Sequence, residues 1–385
     1  MPLALAEVRI VPESCMKMSA EARIIWISTL IIMSVGLVTL YSASFDNVRV
    51  SRQVFFDQLV CGALALTVMF VLSRIHYRMF FDAAYPLYVI NVLLLIFVLV
   101  AGRSALGATR WFSFAGISFQ PSELSKVAVI LMLGRYFSKR NLKLSFDLRS
   151  SFYAFGRDLC YPLFLMLLSF VFIFKQPDLG TAILVFGIFV IMLFASGIDW
   201  RPLAGFLGLC AIAVPFGWHF LKDYQRDRLL VFLNPNIDPL GAGYTIIQSR
   251  IAIGSGQVFG KGWLAGTQNQ LNFLPERHTD FIFAVIGEEW GFAGTTFLLG
   301  CYFMLIYTGI QIAGRVKDKF GHLVAIGIVS ILTLQVVINM SMTMGLSPVV
   351  GITLPFVSYG RTSFLVFAIM MGFLLNLSQQ RRSNA

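Results

Sequence analysis

Residues 274–314 read LPERHTDFIFAVIGEEWGFAGTTFLLGCYFMLIYTGIQIAG. The opening turn holds Glu276, Arg277, His278 and Asp280. Asp280 to Glu289 (DFIFAVIGEE) follows, too short to cross a bilayer and too apolar to lie free in solvent. It ends near Gly291, and the run 292–314 is then apolar for the roughly 20 residues that span a hydrocarbon core. A short apolar segment ahead of a full span predicts an interfacial or re-entrant helix, because backbone that enters lipid must satisfy its own polar groups. Ionisable side chains at such a border are costly, so they point to polar chemistry at one membrane face.

Composition supports the same class. Of 385 residues, 57% are hydrophobic and 13% charged, against about 25% charged in ordinary soluble proteins. The mean hydropathy is +0.78. A disordered chain, a secreted disulfide scaffold and a typical cytosolic enzyme are excluded. Apolar runs centre on 24–43, 54–73, 83–102, 122–138, 159–175, 179–197, 202–221, 292–314, 321–344 and 361–378. The expected fold is therefore an all-α polytopic integral membrane protein with about ten transmembrane helices, forming one membrane domain over 1–385. The first 20 residues include Glu7, Pro12 and Glu13 and have no apolar core. They are not expected to be a cleaved signal peptide.

The net charge of +11 would suggest nucleic acid in a soluble protein. Here most Lys and Arg outside one long loop fall in the segments that share a side with both termini, among them Arg9, Lys17, Lys139, Arg140, Lys143, Arg315, Arg381 and Arg382. The positive-inside rule then puts both termini in the cytoplasm, and no nucleic-acid partner is expected. The long loop, residues 222–291 between helices 7 and 8, is expected on the extracytoplasmic side. At that length it should carry structure. Within it, 244–253 (YTIIQSRIAI) reads as an amphipathic helix. The stretch GSGQVFGKGWLAG (254–266) lacks the G-K-[ST] of a phosphate loop; its composition suits a flexible surface connector. No C-x-x-C or H-E-x-x-H pattern exists, so no zinc or redox motif is expected.

Three outer clusters carry the candidate chemistry. In the first, Arg110 and Trp111 precede QPSELSK (120–126), where Glu123 and Lys126 share a helix face. These two form an ion pair that fixes the helix, a charged wall of a polar cavity, or both at once. In the second, Asp178 of KQPDLGT either caps the next helix or faces substrate. The third is Glu276 to Asp280. Asp280 either caps the following helix or serves as a general base, since partial dehydration would raise its pKa toward a useful value.

Together, GATRWFSFAGISFQPSELSK, KQPDLGTA, NPNIDPLGAGYTIIQS, GTQNQLNFLPERHTDFIFAVIGEE and MGLSPVVGITLPFVSYG resemble the SEDS family (shape, elongation, division and sporulation), most closely its RodA branch. The resemblance runs from Gly107 to Gly360, and the helix count extends it over nearly the whole chain. It implies a peptidoglycan glycosyltransferase of the bacterial cytoplasmic (inner) membrane that polymerises lipid II outside the cell during elongation. The essential carboxylate of the His-Thr-Asp pattern corresponds to Asp280. The Arg-Trp and Pro-Ser-Glu-x-x-Lys patterns correspond to Arg110, Trp111, Glu123 and Lys126. One departure stands out: Arg361 follows Gly360 where the family commonly has a second glycine, which should alter the turn and add a cation to the outer face.

On this reading Asp280 takes the proton of a sugar hydroxyl as it attacks C1 of the lipid-linked strand. Arg110, Lys126, Lys261 and Arg277 are the candidate cations for the departing pyrophosphate. Asp178, Glu276 and His278 complete the substrate-binding set, and Trp111 could stack on a sugar or belong to an interfacial belt. The sequence requires no cofactor. A divalent cation (Mg or Mn) could assist, with Glu276, Glu288 or Glu289 as further carboxylates, although no metal-ligand spacing argues for it. The resemblance implies a class B penicillin-binding protein as partner, within an elongation complex. Two other classes remain open at this stage. A lipid II flippase would distribute charge through the membrane, and a non-catalytic scaffold would need no particular outer carboxylate.

Overall fold

The computed structural model describes residues 18–45, 48–105, 108–114, 117–140, 148–198, 200–241 and 243–379. Arg9, Lys17, Lys143, Arg381 and Arg382, part of the orientation argument, lie outside the described residues.

The chain runs α1 (Ala20–Ala43), α2 (Val48–Arg74) and α3 (Arg78–Ala101), then strands β1 (Arg103–Ala105), β2 (Ala108–Phe114) and β3 (Ile117–Phe119). Next come α4 (Pro121–Ser138), α5 (Leu148–Lys175), α6 (Leu179–Ala195) and α7 (Trp200–Gly217). The loop region holds α8 (Asp223–Leu233), α9 (Tyr244–Ser255) and α10 (Thr267–Gln270). Three helices close the chain: α11 (Ile282–Arg315), α12 (Lys319–Thr343) and α13 (Arg361–Gln379). Among the described residues, eight helices are long and apolar enough to cross a membrane. The other two hydropathic runs form α4 and α6. The first carries Glu123, Lys126 and Arg135, and the second is apolar but only 17 residues long.

The interior helices are α4, α12 and α13, whose side chains are mostly buried. Small residues let them approach closely. A Cβ on Gly327 of α12 would lie 2.8 Å from Ile130 of α4. By contrast α2 and α3 present Leu59, Val60, Val89, Leu93 and Val100 outward, as helices facing lipid do.

The bundle is helical as expected, and the structure adds one small antiparallel sheet in the order β1-β2-β3. Phe112 pairs with Phe119 and Arg103 with Trp111. These strands are short and mixed in polarity, so a scan for spans passes over them. They bridge α3 to α4.

The segment from Asp280 settles into a half-helix that is buried among protein, with every residue from Ile282 to Glu289 buried. It ends at Gly291 (φ 65°, ψ −159°), where the chain breaks and then continues as the long part of α11. The break has a specific repair. In an unbroken helix the N–H groups of Phe292 and Ala293 would reach the carbonyls of Glu288 and Glu289. Here they bond to Gln257 O (2.8 Å) and Val258 O (2.9 Å) instead. The two vacated carbonyls accept from Lys261 N and Gly262 N, both at 3.0 Å. Residues 257–262 thus replace the missing helix bonds in both directions. The glycine-rich stretch is this plug: 257–259 and 261–263 are exposed at the surface, but the backbone is pinned to α11 and is not a free connector. Its glycines are needed for contact: a Cβ on Gly256 would sit 1.9 Å from Gly287 O, and one on Gly260 2.1 Å from Glu289 O.

Candidate active site

Asp280 lies immediately before the half-helix, at the end of a tight turn. Glu276 adopts φ 49°, and its carbonyl accepts from Thr279 N (3.1 Å) and Phe281 N (3.3 Å). The backbone of this turn is held at three consecutive carbonyls. Tyr359 N donates to His278 O (2.8 Å), Ser358 Oγ to Thr279 O (2.6 Å) and Asn339 Nδ2 to Asp280 O (3.0 Å). Asn339 Nδ2 also donates to Ile352 O (2.6 Å), tying the turn to the strap 346–360.

The carboxylate is treated differently from the backbone. It is partly accessible and accepts no hydrogen bond from any described residue. Gly351, at φ 71°, passes so close that a Cβ there would lie 3.5 Å from Asp280 Oδ2. Loss of hydration raises the Asp280 pKa from its ordinary 3.8 to about 6. Glu276 pushes it further up, Arg228 and Arg110 pull it down, and Asp178 adds a smaller upward push. Next to it, burial lowers the His278 pKa, against the pull of Glu276.

Two arginines therefore stand within electrostatic reach of Asp280. Arg110 is carried by β2. It donates Nε to Gln176 O (3.0 Å) and Nη2 to Pro177 O. Arg228 is carried by α8. It donates Nη1 to Val349 O (3.3 Å), and its guanidinium lies 5.8 Å from the Tyr224 ring centroid. Both line one small cleft with Pro177, Tyr224 and Val350. Arg228, itself exposed, escapes sequence reasoning because α8 (DYQRDRLLVFL) offers two arginines with no local mark of which reaches Val349. Asn339 leaves a fainter trace, as a polar residue inside an apolar run.

The other candidates divide by partner. Asp178 caps α6 through Thr181 N (3.2 Å), and its second oxygen accepts from Ser122 Oγ (2.9 Å) and Gln120 Nε2 (3.1 Å). Its link to Asp280 is through its field. Glu123 and Lys126 form a buried ion pair at 2.8 Å, and Lys126 Nζ also donates to Gln335 Oε1 (2.9 Å). Lys126 is wholly inaccessible, so it belongs to the α4–α12 packing and not to an open wall. Lys261 pairs with Glu288 at 2.8 Å and bonds Thr267 Oγ1 at 2.7 Å. Glu288 also accepts from Gln268 N (2.9 Å) and Asn269 N (3.3 Å). This pair fastens the plug to the half-helix. Glu289 accepts from Ser42 Oγ and from Asn269 Nδ2. Arg277 bonds Asn269 O, bracing α10. Trp111 is partly exposed beside Arg110. Successive strand residues point to opposite faces, so the two do not line one pocket. Among the described residues no three His, Cys, Asp or Glu side chains gather as a metal site.

Comparison with known proteins gives the family. Residues 22–383 match the family model described as "Cell cycle protein", which covers FtsW, RodA and SpoVE. The peptidoglycan glycosyltransferase MrdB of Escherichia coli is 43% identical over 331 residues, covering 83% of this chain and 84% of that protein. Stage V sporulation protein E of Bacillus subtilis is 36% identical over 362 residues, 92% and 96% of the two chains. A chain from a solved peptidoglycan synthase complex, described as coordinating polymerization and crosslinking, superposes with TM-score 0.78 at 32% identity, covering 93% and 97%. The rod shape determining protein RodA of Thermus thermophilus superposes with TM-score 0.67 at 30% identity, covering 93% and 96%. With a family match over almost its full length and relatives above 30% identity, this multi-pass membrane protein belongs to the FtsW/RodA/SpoVE family.

Proposed function

We infer that the chain is a peptidoglycan glycosyltransferase that joins lipid II units into β-1,4-linked glycan strands. The observation that carries the reading is Asp280. The backbone of its turn is fixed at three carbonyls, while its carboxylate is left unbonded, partly dehydrated and within electrostatic reach of two arginines. A general base needs a pKa close to the working pH and a lone pair free to receive the proton. At about 6, Asp280 is ionised at neutral pH and yet more basic than an ordinary carboxylate.

Asp280 accepts the proton of the acceptor 4-hydroxyl as its oxygen bonds to C1 of the donor sugar. The C1–oxygen bond to phosphate breaks, and undecaprenyl pyrophosphate leaves with both bonding electrons. The configuration at C1 inverts. Diphosphate is a good leaving group, so the second carboxylate of a glycosidase is not required. Arg110 and Arg228 neutralise the developing charge. A divalent cation (Mg or Mn) would supply further charge neutralisation. Of the carboxylates considered for such an ion, Glu288 and Glu289 are engaged by Lys261, Ser42 and Asn269, so Glu276 would hold it jointly with the diphosphate.

The loop-bearing face lies outside the bacterial inner membrane, with both termini in the cytoplasm and α4 and α6 completing ten crossings. A class B penicillin-binding transpeptidase is the expected partner, during elongation. The likeness to a synthase complex that couples polymerization and crosslinking supports that pairing. No specific observation favours a flippase, because the charges inside the bundle, Glu123 and Lys126, neutralise each other. The test is polymerisation of purified lipid II by the wild type and by Asp280→Asn, each with its partner. Full-length polymer from the variant overturns Asp280 as base. Lipid II movement in liposomes without polymer from the wild type would favour the flippase.

A further inference from the structure

The structure gives Arg361, the departure from the usual double glycine, a partner. Its Nη2 forms an ion pair with Oδ2 of Asp57 in α2, and Tyr359 OH donates to the same oxygen at 3.4 Å. The next residue of α2, Gln58, donates Nε2 to Ser358 O at 3.4 Å. Two consecutive side chains of α2 therefore grip the turn at 358–361. That same turn holds the active-site backbone, through Ser358 Oγ on Thr279 O (2.6 Å) and Tyr359 N on His278 O (2.8 Å).

The pair is not needed to keep α2 against α13. Away from this turn, Asn376 Nδ2 already bonds Leu72 O (3.0 Å) and Ser73 O (3.3 Å). A Cβ on Gly372 would lie 2.8 Å from Leu72, so the two helices are in close contact there. The side chains of Asp57 and Arg361 are each 30% exposed. A pair this wet adds little stability. Its effect is geometric, and it falls at the end of α2 where the site is.

We propose that the Asp57–Arg361 ion pair positions Asp280, by locking α2 to the 358–361 turn that fixes the His278 and Thr279 carbonyls. Arg361 touches no reacting atom. It is a positioning residue that acts through Tyr359 and Ser358. The proposal rests on Asp280 being the base. It explains why an arginine can stand at 361: its charge is answered by Asp57 on the neighbouring helix.

The test uses the full chain with its transpeptidase partner and lipid II as substrate. Variants are Arg361→Asp, Asp57→Arg, the double reversal, Arg361→Gly and Arg361→Lys. Displacement of a reacting group by a fraction of an ångström to an ångström costs up to about 100-fold. Each single reversal and Arg361→Gly should therefore lower kcat by about 10-fold while KM for lipid II stays within about twofold. The double reversal should return kcat to within about threefold of wild type, as expected for coupled neighbours, and Arg361→Lys should keep most of it. Wild-type kcat in Arg361→Gly overturns the proposal, as does a folded double reversal no faster than the singles. If the reversals do not fold, Arg361→Gly against Arg361→Lys decides alone, and equal rates overturn it. Asp280→Asn is assayed in parallel. Normal polymer from that variant means that the base assignment has failed. No polymer from it, with kcat intact in the 57 and 361 variants, means that only the positioning has failed.

Discussion

Asp280→Asn should slow turnover by orders of magnitude and at the same time stabilise the protein at neutral pH. The Asp280 pKa is raised from 3.8 to about 6 in the folded chain. The folded state therefore binds this proton more tightly than the unfolded state, and between those two values stability falls as pH rises. Above about pH 6 the full cost of an ionised Asp280 is present. At about 1.4 kcal/mol per pH unit, that cost is about 3 kcal/mol, and partial access to water trims it to about 2–3 kcal/mol. An asparagine carries no such cost. Purified Asp280→Asn should then denature a few degrees higher than the wild type at pH 8, and the two midpoints should converge near pH 4. In the wild type, kcat/KM for lipid II polymerisation should fall on the acid side with an apparent pKa near about 6, and the asparagine variant should lose about 10²- to 10⁴-fold. A variant less stable than the wild type at pH 8, or an acid limb near pH 4, would refute a carboxylate tuned by dehydration.

Three further outcomes are expected. Lys126→Met strands the Glu123 carboxylate inside the bundle and should cost about 3–5 kcal/mol; Glu123→Gln with Lys126→Met should recover much of it, read as denaturation midpoints in detergent. Gly260→Ala places a Cβ 2.1 Å from Glu289 O, so it should lower the midpoint by several degrees and make residues 257–262 cleavable by added protease. Arg228→Gln should reduce kcat/KM by about 10²-fold, the scale of one lost charge-stabilising donor, with the denaturation midpoint little changed.

Much of the fold is legible in the sequence for a physical reason. A helix in contact with lipid must be apolar along its whole length, so composition records its extent, and α1, α3 and α12 follow the runs read for them. The small sheet leaves no such record, because Arg103 to Phe119 is neither long nor uniformly apolar. In the site, Asp280 is legible because it closes a charged cluster exactly where an apolar segment begins. The pairing of Lys261 is not legible. Its partner Glu288 lies 27 residues further on, and the chain folds back to make the pair, which no local spacing announces. The same holds for Arg228, brought against Val349 by the fold alone. Asp178 and Glu123 are read with two possible roles each, and the structure gives Asp178 a helix cap and Glu123 an ion pair.

The repaired break in α11 bears on how the protein is made. The plug, 257–262, precedes the break at Gly291 in the chain by roughly 30 residues, so during synthesis it is already extruded when the half-helix emerges. Its two free N–H groups and two free carbonyls wait for the four groups that Gly291 exposes. An order of appearance in which the helix came first would leave those groups bare at the edge of lipid, at several kcal/mol each. A circular permutant that delivers 257–262 after α13 should therefore insert poorly, even though it would contain every contact of the finished fold.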